Sequence, residues 1–374
     1  MKIAVNTRLL IAHKLDGIGY FAHEILKRWV RENPDVKFYF LFDRKPDPQF
    51  IYGPNVKAVI LGPQARHPFL YFLWFHISVR RWLRKNKPKA FFSPEGYLSP
   101  GSRIAQFNVI HDLNFEHNPQ DLPLLERWYY RKFFPQYALL SKHIFTVSKF
   151  SKQDIVKQYS IPSDKISVVY NGIRSWFKTV ENSNSFKQKY TEGKDFILHV
   201  GTLHPRKNIV GLISAYNYLR KKDQSAPKLV LAGRKKWWTQ EMENAWQNSP
   251  FKTDIIFTDR LSTEDLVLAY NEALFLAMLS SFEGFGLPMV EAMACGCPVL
   301  CAENSALKEI ASEAAYILPK TTAKITGEAF LDLVHNPEKR EQYRQLGLQH
   351  AKNFSWDKAA EKIWSEMMEV LKHA

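Results

Sequence analysis

The feature that most constrains the fold is the repeated alternation of short apolar runs with segments of helical pattern. Runs such as "KFYFLFD", "AQFNVIHD" and "KLVLAG" are rich in Val, Ile and Phe or Leu and often end in Gly, Asp, Ser or Pro. Many of these runs are separated by helical stretches such as "GYFAHEILKRWVREN". This alternation predicts strands and helices in turn, and hence parallel sheets that helices cover on both faces.

The alternation occurs twice along a chain of 374 residues, which is longer than a usual single domain. We therefore predict the α/β class with two doubly wound domains, one over residues 1–180 and one over residues 190–354. The join is a polar segment, about Arg174 to Asp195, that no strand pattern crosses. The last segment, residues 355–374, carries one apolar helical stripe, so we expect it to pack back on the first domain.

Composition excludes several classes of protein. The apolar fraction of 45% can fill real cores and is unlike that of a disordered chain. No apolar run approaches the roughly 20 residues that a membrane-spanning helix needs. The stretch "MKIAVNTRLL" has the pattern of a strand rather than of a signal peptide. We therefore expect a cytoplasmic protein that is not integral to a membrane.

The positive charge is concentrated in one segment. The formal net charge is +15, and the densest basic run is Arg80 to Lys89, which follows the aromatic stretch "HPFLYFLWFHISV". Residues 69–87 can be interpreted as a helix that lies on anionic lipid at the inner face of the cell membrane. They can equally be a domain helix with a packed apolar face and a solvated basic end, and both interpretations can hold together. No recognised nucleic-acid module surrounds the run, so we expect no nucleic-acid partner.

Three cysteines, Cys295, Cys297 and Cys301, lie close together and could suggest a metal site. However, no partner cluster of ligands exists elsewhere in the sequence, and two of the three fall on an apolar run. Small buried thiols in a reducing compartment are the favoured interpretation, and we expect no metal.

In open parallel sheets, ligands bind outside the carboxyl ends of the strands, and two such domains that face each other form a cleft. The strand "FILHVG" ends at Gly201, and Arg206 and Lys207 follow it just before a helix. Two cations at the start of a helix suit an anion, most plausibly a phosphate. The alternative is that both side chains are merely solvated.

A second strand end, "SSFEGFGLP", combines glycines with a proline. Pro288 suits the start of a helix, and Gly284 and Gly286 allow the backbone to approach a ligand closely. The amides at the start of this helix can donate to an anion or a hydroxyl; they belong to Phe285, Gly286 and Leu287.

Two acids flank this turn. Glu283 precedes it and can accept hydrogen bonds from sugar hydroxyls, whereas Glu291 lies one turn into the helix. A carboxylate in that position can bind two vicinal ribose hydroxyls, as the acid of dinucleotide-binding folds does. The alternative is that Glu291 complements the helix dipole and that Glu283 is a solvated turn residue.

The whole pattern E-G-F-G-L-P-x-x-E-A-M-A-x-G-x-P-V resembles the signature of glycosyltransferase family 4, the group 1 retaining enzymes with the GT-B architecture. Other segments are similar to the family in the same order, among them "DGIGYFAHEIL", "VVYNGI", "HVGTLHPRKN" and "FSWDKAAEKI". The resemblance covers nearly the whole chain. It implies two Rossmann-like domains that face each other across a cleft, with the C-terminal helix returning to the first domain.

The resemblance also implies roles for residues of the second domain. Arg206 and Lys207 would hold the donor diphosphate, after the strand end at Gly201, and would stabilise the leaving nucleoside diphosphate. Glu283 would contact the donor sugar beside the amides named above, and Glu291 would bind the ribose. The family's base-contact segment reads "FTDRL" here, with Asp259 where glycine is common. This departure weakens the contacts implied for Arg260 and Leu261.

In the first domain, the resemblance implies that Gly17 and Gly19 form a loop that closes on the donor phosphate and sugar. His111, at the end of "FNVIH", would face the donor sugar. A lone histidine at a strand end is more often structural, and only the resemblance favours a functional role for His111.

The activity implied is retaining transfer of a sugar from a UDP-, GDP- or ADP-sugar to a hydroxyl of a cell-surface glycan or lipid-linked acceptor, without a metal or other cofactor. The chain could instead be another GT-B enzyme, an epimerase or a phosphorylase, but those enzymes lack this acidic pattern. A phosphorylase would also need a pyridoxal-carrying lysine segment, which we do not find. A basic nucleic-acid-binding protein is the weakest alternative.

Overall fold

A computed structural model of the chain describes residues 1–15, 17–181 and 183–373. The chain forms two compact units. The first comprises Met1–Gly172 together with the segment from Ser355 onward, and the second comprises Ile173–Phe354. The polypeptide therefore leaves the first unit once and returns to it at its C-terminal end.

The first unit is built on a seven-stranded parallel sheet of strand order β3-β2-β1-β4-β5-β6-β7. Its strands are β1 Lys2–Asn6, β2 Lys37–Phe42, β3 Val56–Ile60, β4 Ala90–Ser93, β5 Ala105–Val109, β6 His143–Thr146 and β7 Ile166–Val168. Its first six helices are α1 Gly17–Glu32, α2 Pro68–Phe72, α3 Arg80–Asn86, α4 Asn114–His117, α5 Leu124–Leu140 and α6 Lys149–Tyr159. A π-helical stretch, Leu73–Val79, joins α2 to α3.

The second unit is built on a six-stranded parallel sheet of strand order β10-β9-β8-β11-β12-β13. Its strands are β8 Phe196–Val200, β9 Lys228–Ala232, β10 Ile255–Asp259, β11 Phe275–Met278, β12 Val299–Ala302 and β13 Tyr316–Leu318. Its helices are α7 Ser185–Thr191, α8 Ile209–Lys222, α9 Gln240–Gln247, α10 Thr263–Glu272, α11 Leu287–Ala294, α12 Ala306–Ala311, α13 Ala323–His335 and α14 Pro337–Ala351. The predicted class, two doubly wound parallel sheets, is confirmed.

The predicted polar join has its own structure. The second unit already begins at Ile173, and α7 lies inside the segment that was expected to connect the domains. Phe186 of α7 is fully buried. The high polarity of this segment comes from its exposed positions and conceals a short helix of about two turns.

The C-terminal helix α15, Trp356–Lys372, packs on α1 of the first unit, as predicted. The indole Nε1 of buried Trp29 donates to the Ala360 carbonyl oxygen at 2.9 Å. The Arg28 guanidinium forms an ion pair with Asp357 at 2.5 Å. Burial of the apolar stripe of α15 supplies the main driving force for this docking. The two polar contacts help to fix the position of α15 along α1.

The basic aromatic segment forms one continuous helical rod from α2 through α3. Trp74, Phe75, Val79 and Leu83 point into the core of the first unit, whereas the basic residues at its end are exposed. The packed-face interpretation is therefore correct for one side of this rod. Within the described residues, no helix is both long and apolar enough to cross a membrane.

The three cysteines are buried free thiols, as predicted. Cys295 follows α11, Cys297 precedes β12 and Cys301 lies inside β12. Burial raises the pKa of Cys295 and of Cys301 to about 12, so both thiols are protonated at neutral pH. They fill core space behind the strand ends that are described next.

Candidate functional site

The centre of the second sheet provides a crevice for ligands. β8 and β11 are neighbours, and the chain order runs outward from them in opposite directions, through β9 to β10 and through β12 to β13. This is the topological switch point, where open α/β sheets bind ligands at the carboxyl ends of their strands. The loops that follow β8 and β11 contain most of the residues that the sequence singled out.

The loop after β8 is a rigid turn that presents two cations. Gly201 adopts φ +147°, and Pro205–Lys207 forms one turn of 3₁₀-helix. His204 caps this turn, because its Nδ1 accepts the Arg206 backbone N–H at 3.1 Å. The turn leads directly into α8, so its position is tied to a helix with a buried face.

Close backbone packing supports this turn from the side of β9. A Cβ added to Gly233 would lie 1.8 Å from the Gly201 carbonyl oxygen, so no side chain fits at that position. The Leu203 N–H donates to the Arg234 carbonyl oxygen at 3.0 Å. The loop after β9 therefore supports the one that carries Arg206 and Lys207.

The loop after β11 turns through glycine into α11. Gly286 adopts φ +96°, which glycine tolerates and other residues rarely adopt, and it is the N-cap of the helix. The helix begins at Leu287, so Pro288 is its second residue rather than its first. The Phe285 ring packs against Phe354 at 5.7 Å between ring centroids. The start of α11 therefore lies at the carboxyl end of β11, beside the crevice.

Glu283 joins these two loops electrostatically. Its carboxylate forms ion pairs with the Lys207 ammonium and, at 2.9 Å, with the Arg206 guanidinium. Its backbone N–H donates to the Ser305 hydroxyl at 2.8 Å. Burial alone would raise the pKa of Glu283, but the adjacent charges of Lys207 and Arg206 hold that pKa at about 2. The carboxylate is therefore ionised at any physiological pH.

The structure thus brings Arg206, Lys207 and Glu283 into one cluster with a net charge of +1. The Lys207 side chain is 8% exposed and the Arg206 side chain 28% exposed, so Arg206 is the more accessible cation. Arg206 is itself fixed: its Nη1 donates to the Phe282 carbonyl oxygen at 3.0 Å. A guanidinium held in this way suits bidentate contacts with phosphate oxygens.

Glu291 is the second predicted acid, and it lies buried on α11. Its Oε1 accepts a hydrogen bond from Arg174 Nη2 at 2.6 Å, and the Tyr270 hydroxyl donates to Oε2 at 3.5 Å. Burial raises the pKa of Glu291, and the Arg174 charge opposes this rise. Sequence reasoning did not find Arg174, because it sits in the polar join with no local pattern to mark it.

The structure also explains the unusual base-contact segment. Asp259 ends β10 with φ +54°, and the ladder between β10 and β9 shifts register at this point. A left-handed residue is needed there, which accounts for the family's preference for glycine. Arg260 and Leu261 follow directly, at the carboxyl end of β10. β9 lies between β10 and β8, so Arg260 and Leu261 are two strands away from the loop that carries Arg206 and Lys207.

The predicted residues of the first unit occupy the carboxyl edge of its own sheet. His111 follows β5, and its Nε2 donates to the Pro94 carbonyl oxygen at 2.8 Å while its ring meets the edge of Phe21 at 4.9 Å. Gly17 and Gly19 were expected in a loop, but both lie in the first turn of α1. The expectation of a glycine loop is wrong for these two positions, because the helix already begins at Gly17.

Two doubly wound units with parallel sheets, a cationic turn and a glycine-led helix at the switch point of the second unit are the features of the GT-B class of enzymes. Residues 15–175 match the family described as Glycosyltransferase Family 4, and residues 180–350 match the family described as Glycosyl transferases group 1. The chain therefore belongs to the family 4, group 1 glycosyltransferases, which use nucleotide-sugar donors, and the family resemblance is confirmed.

Individual proteins show the same relationship. O-antigen chain mannosyltransferase B of Escherichia coli is 28% identical over 372 residues, which cover 96% of this chain and 97% of that protein. O-antigen chain mannosyltransferase RfbU of Salmonella typhimurium is 26% identical over 270 residues, 71% of each chain. Sucrose-phosphate synthase of Thermosynechococcus elongatus superposes with a TM-score of 0.80 at 15% identity, over 100% of both chains, and shows the shared fold.

Proposed function

We propose that this glycosyltransferase moves mannose, with retention, from a nucleoside-diphosphate sugar to a hydroxyl of a growing cell-surface polysaccharide or its lipid-linked precursor. The observation that carries the proposal is the cluster of Arg206, Lys207 and Glu283 at the switch point of the second sheet. The relatives named above act on O-antigen chains as mannosyltransferases, which supports both the sugar and the acceptor class.

The cluster supplies the chemistry that departure of a nucleoside diphosphate requires. As the bond to the sugar breaks, negative charge develops on the diphosphate, and fixed cations stabilise that charge in the transition state. Arg206 and Lys207 would take this role, and the first amides of α11 would add donors. Glu283 would accept hydrogen bonds from the sugar hydroxyls and hold the anomeric carbon in place. The leaving phosphate would take the proton of the acceptor hydroxyl on the same face of the sugar.

Donor binding must rearrange the charges of this cluster. Among the residues that the structure describes, Glu283 is paired with both cations. A diphosphate brings more charge than one carboxylate, so it competes for Arg206 and Lys207 and releases Glu283 toward the sugar. The roles that the resemblance implies for Gly17, Gly19 and His111 belong to the first unit and stay predictions, as do the base contacts of Arg260 and Leu261.

Calorimetric titration with GDP-mannose, UDP-mannose and ADP-mannose tests the proposal, followed by a transfer assay with the donor that binds. We expect one mannose donor to bind and Lys207→Ala to reduce turnover by about 100-fold or more, as loss of a transition-state contact does. Lys339→Ala is the matched control, because Lys339 is also ion-paired, with Asp332 at 2.5 Å, but lies on α14. Absence of binding by all three donors, or normal turnover of Lys207→Ala, would contradict the proposal.

We further propose that the first unit docks on an anionic membrane through an apolar patch on α2 and α5. Leu124 and Leu125 are 79% and 71% exposed at the start of α5. An aromatic contact links the two helices, since the ring centroids of Phe133 on α5 and Phe72 on α2 are 5.9 Å apart. The Phe133 ring also lies 6.1 Å, between centroids, from that of Trp128 on its own helix. The apolar patch consists of Phe69, Phe72, Leu124, Leu125 and Trp128.

Cations surround this apolar patch. Arg66, Arg131 and Lys132 are exposed, and the Lys132 ammonium lies 4.8 Å from the centre of the Trp128 ring. Exposed apolar side chains with a basic rim favour insertion at the interface of an anionic bilayer. Such docking would place the enzyme on the inner face of the cell membrane, where a lipid-linked acceptor is held.

Cosedimentation with vesicles separates this docking from the enzymatic proposal. We expect binding to phosphatidylglycerol vesicles, weaker binding to phosphatidylcholine vesicles, and loss of binding in the double variant Leu124→Ser, Leu125→Ser. Leu139→Ser is the control, because Leu139 is 64% exposed on the same helix but lies at its other end. Equal binding by both variants and the parent protein would show that the patch is not the docking surface.

A further inference from the structure

Arg174 is held in one orientation by the side chains around it. Its guanidinium carbon lies 5.2 Å from the centre of the Trp176 ring and 4.8 Å from that of the Phe177 ring. Its Nη2 donates to Glu291 Oε1 at 2.6 Å, and only 12% of the side chain is exposed. Cation–π contacts and a charge-assisted hydrogen bond therefore fix this side chain from two directions.

Glu291 is enclosed by the same group of residues. Its side chain is 8% exposed, and Tyr270, whose hydroxyl reaches Oε2, packs against Phe177 with 5.8 Å between ring centroids. An unpaired carboxylate in such a setting would be costly and would tend to take up a proton. Arg174 is thus the counter-charge that allows a buried acid to exist here as a carboxylate.

We infer that Arg174 is a positioning residue for the nucleoside part of the donor: it keeps Glu291 ionised and oriented so that this carboxylate accepts hydrogen bonds from the ribose hydroxyls. The inference rests on the proposed function and deepens it, because it assigns the ribose contact to a pair of residues instead of to Glu291 alone. Arg174 is the second residue of the second unit, so this part of the donor site begins where the chain enters that unit.

Titratable groups from three segments of the described part of the chain face Glu291. From the entering segment there is Arg174, from α10 there is Tyr270, and directly after α11 there is the thiol of Cys295. Burial raises the pKa of Tyr270 and of Cys295, so both groups are neutral near pH 7. Among these groups, Arg174 is therefore the charge that sets the protonation of Glu291.

The test measures how strongly the protein distinguishes ribose from deoxyribose. GDP, UDP and their 2′-deoxy forms are titrated by calorimetry from pH 6 to pH 8.5 against the parent protein, Arg174→Gln, Arg174→Lys and Glu291→Gln. The parent should bind the ribonucleotide about tenfold more tightly, the effect expected for one hydrogen bond to a charged group. Glu291→Gln should lose much of this preference at every pH.

Arg174→Gln should lose the ribose preference at pH 6 and regain part of it at pH 8.5. The reason is that removing the guanidinium raises the pKa of Glu291, so a higher pH is needed to ionise the acid. Arg174→Lys keeps the charge and should retain most of the preference. Arg220→Gln is the matched control, because Arg220 is also 12% exposed, pairs with Asp254 at 2.6 Å and packs over an aromatic ring, and it should keep the preference.

Two results would overturn the inference. One is an Arg174→Gln variant with the parent's ribose preference throughout the pH range. The other is tighter nucleotide binding by that variant, which would mean that Arg174 competes with the ribose for Glu291. Both results would leave the proposed function intact, since the protein still binds a nucleoside diphosphate. A parent protein that binds none of these nucleotides would remove the proposed function and this inference together.

Discussion

Glu283→Gln is the change whose effect on stability can best be worked out from the structure. It removes the negative charge shared by Arg206 and Lys207 and leaves the shape of the side chain nearly unchanged. The pKa of Glu283 is about 2 in the folded protein, against an ordinary value of 4.5. This difference of about 2.5 pKa units corresponds to ~3 kcal/mol of stabilisation at pH 7, at 1.36 kcal/mol per unit.

The sign and the pH window follow from the lowered pKa. An acid whose pKa is lower in the folded state stabilises that state above its unfolded pKa and loses the effect as the pH falls through its folded pKa. Since the folded pKa is about 2, most of the ~3 kcal/mol should still be present at pH 4. An exposed ion pair would behave differently, because it is worth only about 0–1 kcal/mol at pH 7.

Urea unfolding of the donor-free protein at pH 7 and pH 4, followed by tryptophan fluorescence, measures this difference. Glu303→Gln is the control, because Glu303 is about one-third exposed and pairs with Lys308 near the same sheet edge. We expect a loss of ~3 kcal/mol for Glu283→Gln at pH 7, only slightly less at pH 4, and under about 1 kcal/mol for the control. A loss that disappears by pH 4, or one equal to the control's, would refute the reasoning.

Three further predictions concern the same sheet edge. Gly286→Ala should cost about 1–2 kcal/mol, measured by thermal unfolding, because φ is +96° there; an unchanged melting temperature would contradict this. Asp259→Gly should instead stabilise the protein by about 0.5 kcal/mol, because φ is +54°, and Thr258→Gly on the same strand should destabilise it. Sugar transfer should persist in EDTA, since Arg206 and Lys207 supply the positive charge; a requirement for added Mg²⁺ or Mn²⁺ would show that this charge is insufficient.

The sequence predicted the general architecture because strand and helix periodicity are local properties of the chain. The returning C-terminal helix was predictable for the same reason, since an apolar helical stripe must be buried against another element. The details near segment ends were less predictable. The polar join conceals α7, and Gly17 and Gly19 begin a helix, because burial of one side chain or one extra helical turn leaves little trace in composition.

Residue identity and order alone determined the family, the two sheets and the candidate residues at the strand ends, because each depends on patterns over a few neighbouring residues. Only the tertiary structure decided how these residues are paired. Glu283 shares its charge with Arg206 and Lys207, which lie 77 and 76 positions away, and Glu291 is held by Arg174, 117 positions away. Such pairs arise when the sheet brings distant strand ends to one edge, where burial makes an unpaired charge too costly to keep.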